Sequence, residues 1–224
     1  MEAKRVIIVG ASGMIGRLAL RGCLDDDAVG QVTVLVRRAL GIEHPKLTEV
    51  IHSDYADYSA AADALSGQDA ALFCLGAYTG SVPDDEFRRI TVAYAVNFAR
   101  ALYAASPEAA FCFLSGAGAD QTGRSRMAFA RYKGEAEKAL LETGFPRVHI
   151  FRPAYIYPVV KRREPNFGYR LMRALWPVAR LVYPNGGINS DALARAMLDA
   201  ALHGTPGHEA PVLENRDIRR MVRL

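Results

Sequence analysis

Three glycines near the N-terminus have the clearest chemical use in this chain. Gly10, Gly13 and Gly16 occur in the run VIIVGASGMIGRLAL, between an apolar strand pattern and a helical pattern. Glycines at such a turn allow a tight exit from the strand, backbone approach to a ligand and close packing of helix on strand. The first helical amides, with the hydroxyl of Ser12, suit a diphosphate. We therefore expect a dinucleotide phosphate site rather than a turn that serves packing alone.

Two arginines follow the second strand pattern, QVTVLV. Arg37 and Arg38 come about twenty residues after the last glycine, where an NAD-selective site carries an acidic residue. Arginine there can pair with a 2′-phosphate, so the sequence predicts NADP(H), with NAD(H) less favoured; the alternative is a solvated arginine pair. Asp54, Leu75 and Gly76 follow the third and fourth strand patterns and are expected near the adenine and ribose, although Asp54 could equally be a helix cap.

The elements that must position these residues alternate between strand and helix. Strands are predicted at Arg5–Val9, Val32–Val36, Leu47–His52, Ala70–Leu75, Ala110–Ser115 and Arg147–Phe151. Helices are predicted at Met14–Leu24, Ser59–Leu65, Asp84–Ala105 and Met127–Thr143. Several strand patterns are apolar without alternation, which is typical of parallel strands covered on both faces. The pattern predicts an α/β fold with a doubly wound parallel sheet, a Rossmann fold.

The C-terminal third has a different pattern. A basic loop, KRREPN, leads to an amphipathic stretch over Tyr169–Leu181. A helix is predicted from Ser190, its expected N-cap, to His203, and a short helix over Asn215–Arg223. This third is too short for an independent domain. We expect residues 1–224 to form a single dinucleotide-binding domain in which 152–224 make a small substrate-side lobe.

Composition excludes several classes of protein. With 224 residues, half of them hydrophobic, and a net charge of +4, the chain fits one globular domain, weakly favours anionic ligands and lacks a nucleic-acid footprint. Cys23, Cys74 and Cys112 lie far apart in apolar stretches and are expected to be buried free thiols. No secretory segment and no membrane span is expected, so we predict a cytoplasmic protein.

Other constellations carry less chemistry. The five histidines show no metal-ligand spacing, so no metal site is predicted, and His149 is expected to be a hydrogen-bonded core histidine. Residues 159–183 mix basic and apolar side chains; a substrate lid or subunit contact is favoured, and weak association with an anionic membrane surface is the alternative. The unknown substrate is expected to be a small molecule, and the protein a monomer or homodimer.

Seven motifs extend the glycine and arginine pattern along nearly the whole chain. They are VIIVGASGMIG, VTVLVRR, ALFCLGAYTG, FCFLSGAGAD, YKGEAEKALLE, FRPAYIY and VLENRDI. On these motifs the chain resembles the short-chain dehydrogenase/reductase superfamily, in an atypical branch of Tat-interacting-protein-like oxidoreductases. The resemblance implies phosphate contacts from Ser12, Gly13, Met14 and Ile15, a 2′-phosphate contact from Arg37 and Arg38, and ribose contacts from Leu75 and Gly76. It implies further cofactor contacts from Ile156 and Arg163.

The departure from this family concerns its catalytic tyrosine. In the superfamily a lysine binds the nicotinamide ribose and lowers the pKa of a tyrosine four residues earlier, which exchanges a proton with the substrate. Lys133 stands at the lysine position, but the tyrosine position is Phe129, and Tyr132 points about 100° away on a helix. Ser115 is the candidate for orienting a carbonyl, although a one-residue offset would put Gly116 at that position instead. Tyr155 is a candidate hydroxyl, with a core or lid role favoured for it.

Two functions therefore remain open from the sequence. The first is an NADP-dependent oxidoreductase that acts on a small carbonyl or sugar-like substrate, with Lys133 placing the cofactor. The second is a catalytically impaired, NADP(H)-binding regulatory or sensor protein, which Phe129 favours.

Overall fold

A seven-stranded parallel sheet forms the centre of the fold. The computed structural model describes residues 3–160, 174, 176 and 182–223. The strands of this sheet are β1 (Lys4–Val9), β2 (Val29–Val36), β3 (Leu47–Ile51), β4 (Ala70–Phe73), β5 (Ala110–Leu114), β6 (Arg147–Arg152) and β9 (Val212–Glu214). Their spatial order is β3-β2-β1-β4-β5-β6-β9. Two short parallel strands, β7 (Tyr155–Tyr157) and β8 (Gly187–Asn189), pair outside this sheet.

Helices cover both faces of the sheet. They are α1 (Met14–Asp25), α2 (Ala62–Leu65), α3 (Asp84–Arg88), α4 (Tyr94–Ala105), α5 (Ala128–Leu141), α6 (Ser190–His203) and α7 (Asn215–Met221). One apolar cluster joins the strands to α1 and α6, and a second joins them to α4 and α5. The central strands are buried on both faces, which explains their unbroken apolar sequences. The predicted α/β doubly wound parallel sheet is confirmed.

Element boundaries differ locally from the predictions. The helix predicted over Asp84–Ala105 is interrupted by a π turn at Arg89–Ala93, and the start of the helix predicted at Ser59 is a 3-10 turn over Ser59–Ala61. Ser190 is the first helical residue and Asn189 is the N-cap, so the predicted serine cap is wrong. The Ser190 hydroxyl instead accepts a hydrogen bond from the Val159 amide at 3.1 Å, which ties the helix start to the preceding loop.

The C-terminal third contributes to the main sheet as well as to its surroundings. Helix α6 packs beside α1, and β9 pairs with β6 at the sheet edge. Residues 152–224, over which a substrate-side lobe is expected, therefore also include parts of the central fold. The amphipathic stretch predicted over 169–181 lies outside the described residues apart from Ala174 and Trp176, which are helical. No helix within the described part of the chain is long and apolar enough to cross a membrane.

Candidate functional site

A pocket of about 450 Å³ lies at the carboxyl ends of the central strands. The loops after β1, β4, β5 and β6 border it, together with the start of α1 and one face of α5. The strand order reverses between β1 and β4, and in doubly wound sheets the crevice at such a reversal is where ligands bind. The topology alone therefore makes this pocket the candidate site.

The glycine turn after β1 brings three backbone segments into close contact. Gly10 has a φ of +88°, and a Cβ there would lie 2.6 Å from the amide nitrogen of Leu75. A Cβ on Gly16 would collide with the carbonyl oxygen of Gly10. These contacts hold the first turn of α1 against the ends of β1 and β4, which is why glycine is required at both positions.

The start of α1 presents the amides of its first turn to the pocket, while the Gly13 amide itself donates a hydrogen bond to the Gly10 carbonyl oxygen at 2.9 Å. Gly13 is the N-cap of α1, and no side chain caps this helix end. Gly13, Met14 and Ile15 line the pocket, and Ser12 is exposed beside them. The first amides of a helix lack intrahelical acceptors and carry a positive partial charge. A glycine cradle with an uncapped helix end fits the diphosphate of a dinucleotide.

The arginines and the acid predicted for the adenosine end lie outside this pocket. Arg37 and Arg38 are exposed directly after β2, and within the described ranges neither has an ion-pair or hydrogen-bond partner. Asp54 is exposed, and its carboxylate accepts a hydrogen bond from the Ala56 amide at 2.9 Å. It thus closes its own turn and does not cap a helix. Leu75 and Gly76 do line the pocket.

One face of α5 carries three functional candidates at four-residue spacing. Phe129, Lys133 and Glu137 are separated by one helical turn each, and the first two line the pocket. Lys133 is buried, and its Nζ donates a hydrogen bond to the carbonyl oxygen of Leu114 at 2.8 Å. The ammonium lies 4.7 Å from the ring centroid of Phe113. Burial lowers the pKa of Lys133 to about 8, although Glu137 acts in the opposite direction.

Glu137 is the centre of a buried polar network behind the pocket. Its side chain is fully buried and accepts hydrogen bonds from Ser115 Oγ (2.5 Å), Gln121 Nε2 (2.8 Å) and Arg152 Nε (2.9 Å) and Nη2 (2.5 Å). Arg152 also pairs with Glu214 at 3.0 Å. Hydrogen bonding to Glu137 raises the pKa of Arg152 above its ordinary range. The carboxylate is therefore a satisfied anion with four donors.

This network determines the hydrogen-bonding character of Ser115. A serine hydroxyl has one proton, and that of Ser115 is donated to Glu137. The Ser115 side chain lines the pocket, so the oxygen offers acceptor lone pairs to a ligand there. Sequence reasoning missed Glu137, Arg152 and Gln121. The signal that could have found Glu137 is a carboxylate one turn after Lys133, on the helix face that carries the buried residues.

The position of the family tyrosine is filled by an apolar ring. Phe129 lines the pocket and packs so closely on Gly116 that a Cβ there would lie 2.6 Å from the ring. Tyr132 points elsewhere, since its hydroxyl donates to Asp84 Oδ2 at 2.6 Å on an exposed surface. Tyr132 therefore does not supply a hydroxyl to the pocket.

The opposite wall of the pocket comes from the segment after β6. Tyr155 and Ile156, on β7, both line the pocket, and the ring of Tyr155 meets Trp176 edge-on with centroids 5.7 Å apart. Arg163 lies outside the described residues. Nine predicted residues thus border one pocket: Gly13, Met14, Ile15, Leu75, Gly76, Ser115, Lys133, Tyr155 and Ile156.

The cysteines and histidines form no metal centre in the part of the chain that the structure describes. Within the described ranges, no group of three or more histidine, cysteine or acidic side chains could hold a metal ion. All three cysteines are free thiols; Cys23 and Cys112 are buried and Cys74 is half-buried. Burial raises the pKa of Cys23 and of Cys74 to about 12, and it raises that of Cys112 further.

Comparisons with known proteins identify relatives that cover most of the chain. A family profile described as NAD(P)H-binding matches residues 10–203. Protein HTATIP2 of Rattus norvegicus is 29% identical over 221 residues, which cover 97% of this chain and 89% of the relative. The mitochondrial protein fmp52 of Aspergillus fumigatus is 26% identical over 216 residues, covering 92% of this chain and 90% of the relative. The Bordetella bronchiseptica enzyme WbmH, solved in complex with NAD+, matches with a TM-score of 0.64 at 19% identity, covering 92% of this chain and 74% of that one.

Proposed function

The chain belongs to the NAD(P)H-binding family, in an atypical short-chain dehydrogenase/reductase branch, and from this premise we propose that it is an NADP(H)-dependent oxidoreductase of a small carbonyl or sugar-like substrate. One observation carries the proposal. The uncapped start of α1 and the buried amine of Lys133 open into the same pocket. A phosphate-binding end and a candidate reaction end are thus within the reach of one ligand.

In this proposal each residue around the pocket has a separate task. The amides of Met14 and Ile15 hold the diphosphate. Ser12 and Gly13, whose own amide donates to the Gly10 carbonyl oxygen, contact it beside them. Leu75, Gly76 and Ile156 contact the ribose and nicotinamide portions, and Lys133 donates hydrogen bonds to the nicotinamide ribose. The nucleotide supplies or accepts a hydride when it is bound. Calorimetry with NADPH, NADP+, NADH and NAD+ tests this assignment, and the absence of heat for all four at millimolar ligand contradicts it.

Arg37 and Arg38 support a preference for NADP(H). Both are exposed at the end of β2 without an ion-pair partner in the part of the chain that the structure describes, so both are available to a 2′-phosphate. A charge-assisted hydrogen bond contributes about 1.5–3 kcal/mol, which corresponds to roughly 10- to 100-fold in the dissociation constant.

Calorimetry on the double variant Arg37→Ala/Arg38→Ala tests this preference. We expect NADPH affinity to fall by roughly 10- to 100-fold while NADH affinity stays unchanged, because only NADPH carries the extra phosphate. Arg21→Ala is the control, since Arg21 is exposed on α1 and pairs only with Asp25 at 3.8 Å. Equal affinity of the unaltered protein for NADPH and NADH contradicts the preference.

The source of the substrate proton is the finer part of the proposal. Phe129 has no hydroxyl, and the Ser115 proton is engaged by Glu137. Ser115 therefore serves as an acceptor that holds the hydroxyl of the reduced substrate. Tyr78 and Tyr155 both bring a phenol to the pocket, and we assign the proton exchange with the substrate oxygen to Tyr155. We assign catalytic roles to Lys133, Ser115 and Tyr155 on this basis.

NADPH oxidation with a panel of aldehydes and ketones tests these roles. We expect slow turnover by the unaltered protein, because Tyr155 must replace the family tyrosine from another position and well-placed general acid catalysis is worth about 100- to 10,000-fold. Tyr155→Phe and Lys133→Ala are both expected to lower the rate further. Activity that survives Lys133→Ala contradicts the placement of the reaction at this end of the pocket.

A second candidate function follows from Phe129. A protein that has lost hydride transfer can use NADP(H) as a structural or sensing ligand, and the apolar ring at the family tyrosine position favours this alternative. Phe129→Tyr, assayed beside the unaltered protein, separates the two candidates. Turnover that occurs only in the variant supports the regulatory function; turnover by the unaltered protein supports the oxidoreductase.

Partners and location complete the proposal. We propose a cytoplasmic monomer or homodimer without nucleic-acid partners, in which 152–224 include the substrate-side lobe and 159–183 act as lid or subunit contact. The relative fmp52 is named as mitochondrial, so cell fractionation should compare both compartments. Light scattering gives the oligomeric state, and flotation with anionic liposomes measures any surface association through 159–183.

A further inference from the structure

A primary amine inside an apolar pocket has a reactivity of its own. We propose that Lys133 in the nucleotide-free protein is a carbonyl-capturing nucleophile, which holds small aldehydes as an imine in the pocket between α5 and the ends of the sheet. This inference does not depend on hydride transfer. It concerns the same amine to which the proposed function assigns the nicotinamide ribose, so aldehyde and nucleotide compete for it.

The surroundings of Lys133 leave its amine without a carboxylate partner. The residue is only 8% exposed, and its one hydrogen bond among the described residues goes to the carbonyl oxygen of Leu114. The acid on the same face of the helix, one turn further on, is Glu137, whose two oxygens are occupied by Ser115, Gln121 and Arg152. No ion pair to Lys133 occurs in the described ranges. The ammonium form is therefore weakly compensated, and the site shifts the equilibrium towards the neutral amine.

The charged state of the amine follows from these contacts. Burial lowers the pKa of Lys133 to about 8, with Glu137 from its own helix and Cys74 from the end of β4 opposing the shift. At pH 8 about half of the Lys133 amines are then neutral, against about 0.4% for an ordinary lysine with a pKa of about 10.4. The neutral amine is the nucleophile in reactions with carbonyls.

The pocket walls suit a small aldehyde with an apolar tail. Met14, Leu75, Phe129, Pro153 and Ile156 contribute apolar surface around the amine. Removing a small hydrocarbon chain from water contributes about 0.8 kcal/mol per buried methylene group. A volume of about 450 Å³ accepts such a molecule readily when no nucleotide is present.

The bond changes in the step are balanced without any oxidant or reductant. The nitrogen lone pair of Lys133 forms a bond to the carbonyl carbon, and the C=O π electrons move to oxygen. A proton passes from nitrogen to that oxygen to give a carbinolamine. The C–O bond then breaks, oxygen leaves with both former amine protons as water, and a C=N bond remains. Hydrolysis reverses each step, so the capture is reversible.

Reductive trapping tests the inference. Protein freed of nucleotide is treated briefly with butanal and sodium cyanoborohydride at pH 8, digested and mapped by mass spectrometry. Lys138 is the internal control, because it is exposed on the same helix. We expect the initial rate of butylation at Lys133 to exceed that at Lys138 by about 10-fold, since the lower basicity of Lys133 offsets part of its roughly 100-fold larger neutral fraction. A rate at Lys133 no greater than at Lys138 overturns the inference.

Two further arms separate this inference from the proposed function. In Lys133→Arg the fast-labelled site must disappear; persistence of one fast butylation per chain in this variant overturns the assignment to Lys133. In the unaltered protein, saturating NADPH is expected to slow Lys133 labelling at least 10-fold. Nucleotide binding itself is measured by calorimetry without aldehyde. If Lys133 is not trapped but the nucleotide binds with measurable heat, only the aldehyde inference is contradicted. If Lys133 is trapped rapidly but no nucleotide heat is measured, only the proposed function is contradicted.

Discussion

At the scale of single residues, Glu137 has the largest effect on the site, although its carboxylate is buried behind the pocket and does not line it. Glu137 fixes Ser115 as an acceptor and draws Arg152 into the protein interior. Replacing a buried ion pair by apolar groups can be neutral, but removing one partner strands the other as an uncompensated charge. The pair therefore joins the geometry of the site to the stability of the fold.

Arg152→Leu tests this coupling. We expect the variant to lose about 3–5 kcal/mol of unfolding free energy in urea titrations, because it leaves Glu137 buried without its cation. Arg88→Leu is the matched control, since Arg88 of α3 pairs at the surface with Glu135 of α5, the helix that also carries Glu137, and the two side chains are 55% and 42% exposed. Exposed pairs contribute at most about 1 kcal/mol. Equal losses in the two variants contradict the special role of the buried pair.

At the scale of elements, local patterns predicted the first half of the site and missed the second. The glycine turn and α1 follow from neighbouring residues, because Gly10, Gly13 and Gly16 all act within one strand-turn-helix unit. The network behind Ser115 joins α5 to the ends of β5 and β6, which are separated along the chain. No periodicity within α5 indicates which side chain from another strand will meet Glu137. Such contacts depend on sheet order, which local sequence does not determine.

The close contact at the start of α1 gives an element-scale prediction. In Gly16→Ala the new methyl group meets the Gly10 carbonyl, so α1 must move away from β1. Overpacking of this kind costs about 1–3 kcal/mol, and the displaced amides should also lower nucleotide affinity at least 10-fold. Urea titration and calorimetry measure the two effects.

Gly22→Ala is the control for this change. Gly22 lies in the same helix, and a Cβ there would lie 3.2 Å from the flexible end of Leu198. Alanine improves helix propensity by about 1 kcal/mol at such a position, which offsets a mild contact. Nucleotide affinity should therefore stay unchanged in Gly22→Ala. Unchanged affinity in Gly16→Ala as well would contradict the role of the glycine turn.

At the scale of the whole molecule, the edge strand and the C-terminal helices depend on distant partners. β9 and the β7–β8 pair have three residues each, too few for a strand pattern to be recognised in the sequence. β9 forms because β6 offers a free edge, and α6 is held by α1 from the opposite end of the chain. Topology, not propensity, determines these elements.

The environment of His149 also depends on residues that are distant in the sequence. His149 lies on β6 opposite Cys112 of β5 and is 6% exposed. The expectation of a core position holds, but that of a hydrogen-bonded ring does not, because neither ring nitrogen has a partner within the described residues. Burial, together with the nearby Arg147 and His208, lowers the pKa of His149 to about 4.

This pKa predicts the acid sensitivity of the fold. The pKa of His149 is about 6.5 in the unfolded chain and about 4 in the folded protein, so protons bind the unfolded chain more readily. The free energy of unfolding therefore falls as the pH decreases from about 6.5 towards 4. Between pH 7 and pH 5 this single group should remove about 2 kcal/mol of unfolding free energy. His149→Leu has no imidazole at this position. In urea titrations we therefore expect the unfolding free energy of the variant, relative to that of the unaltered protein, to rise by about 2 kcal/mol between pH 7 and pH 5. A His149→Leu advantage independent of pH would mean that the folded histidine protonates normally and that its burial does not control acid stability.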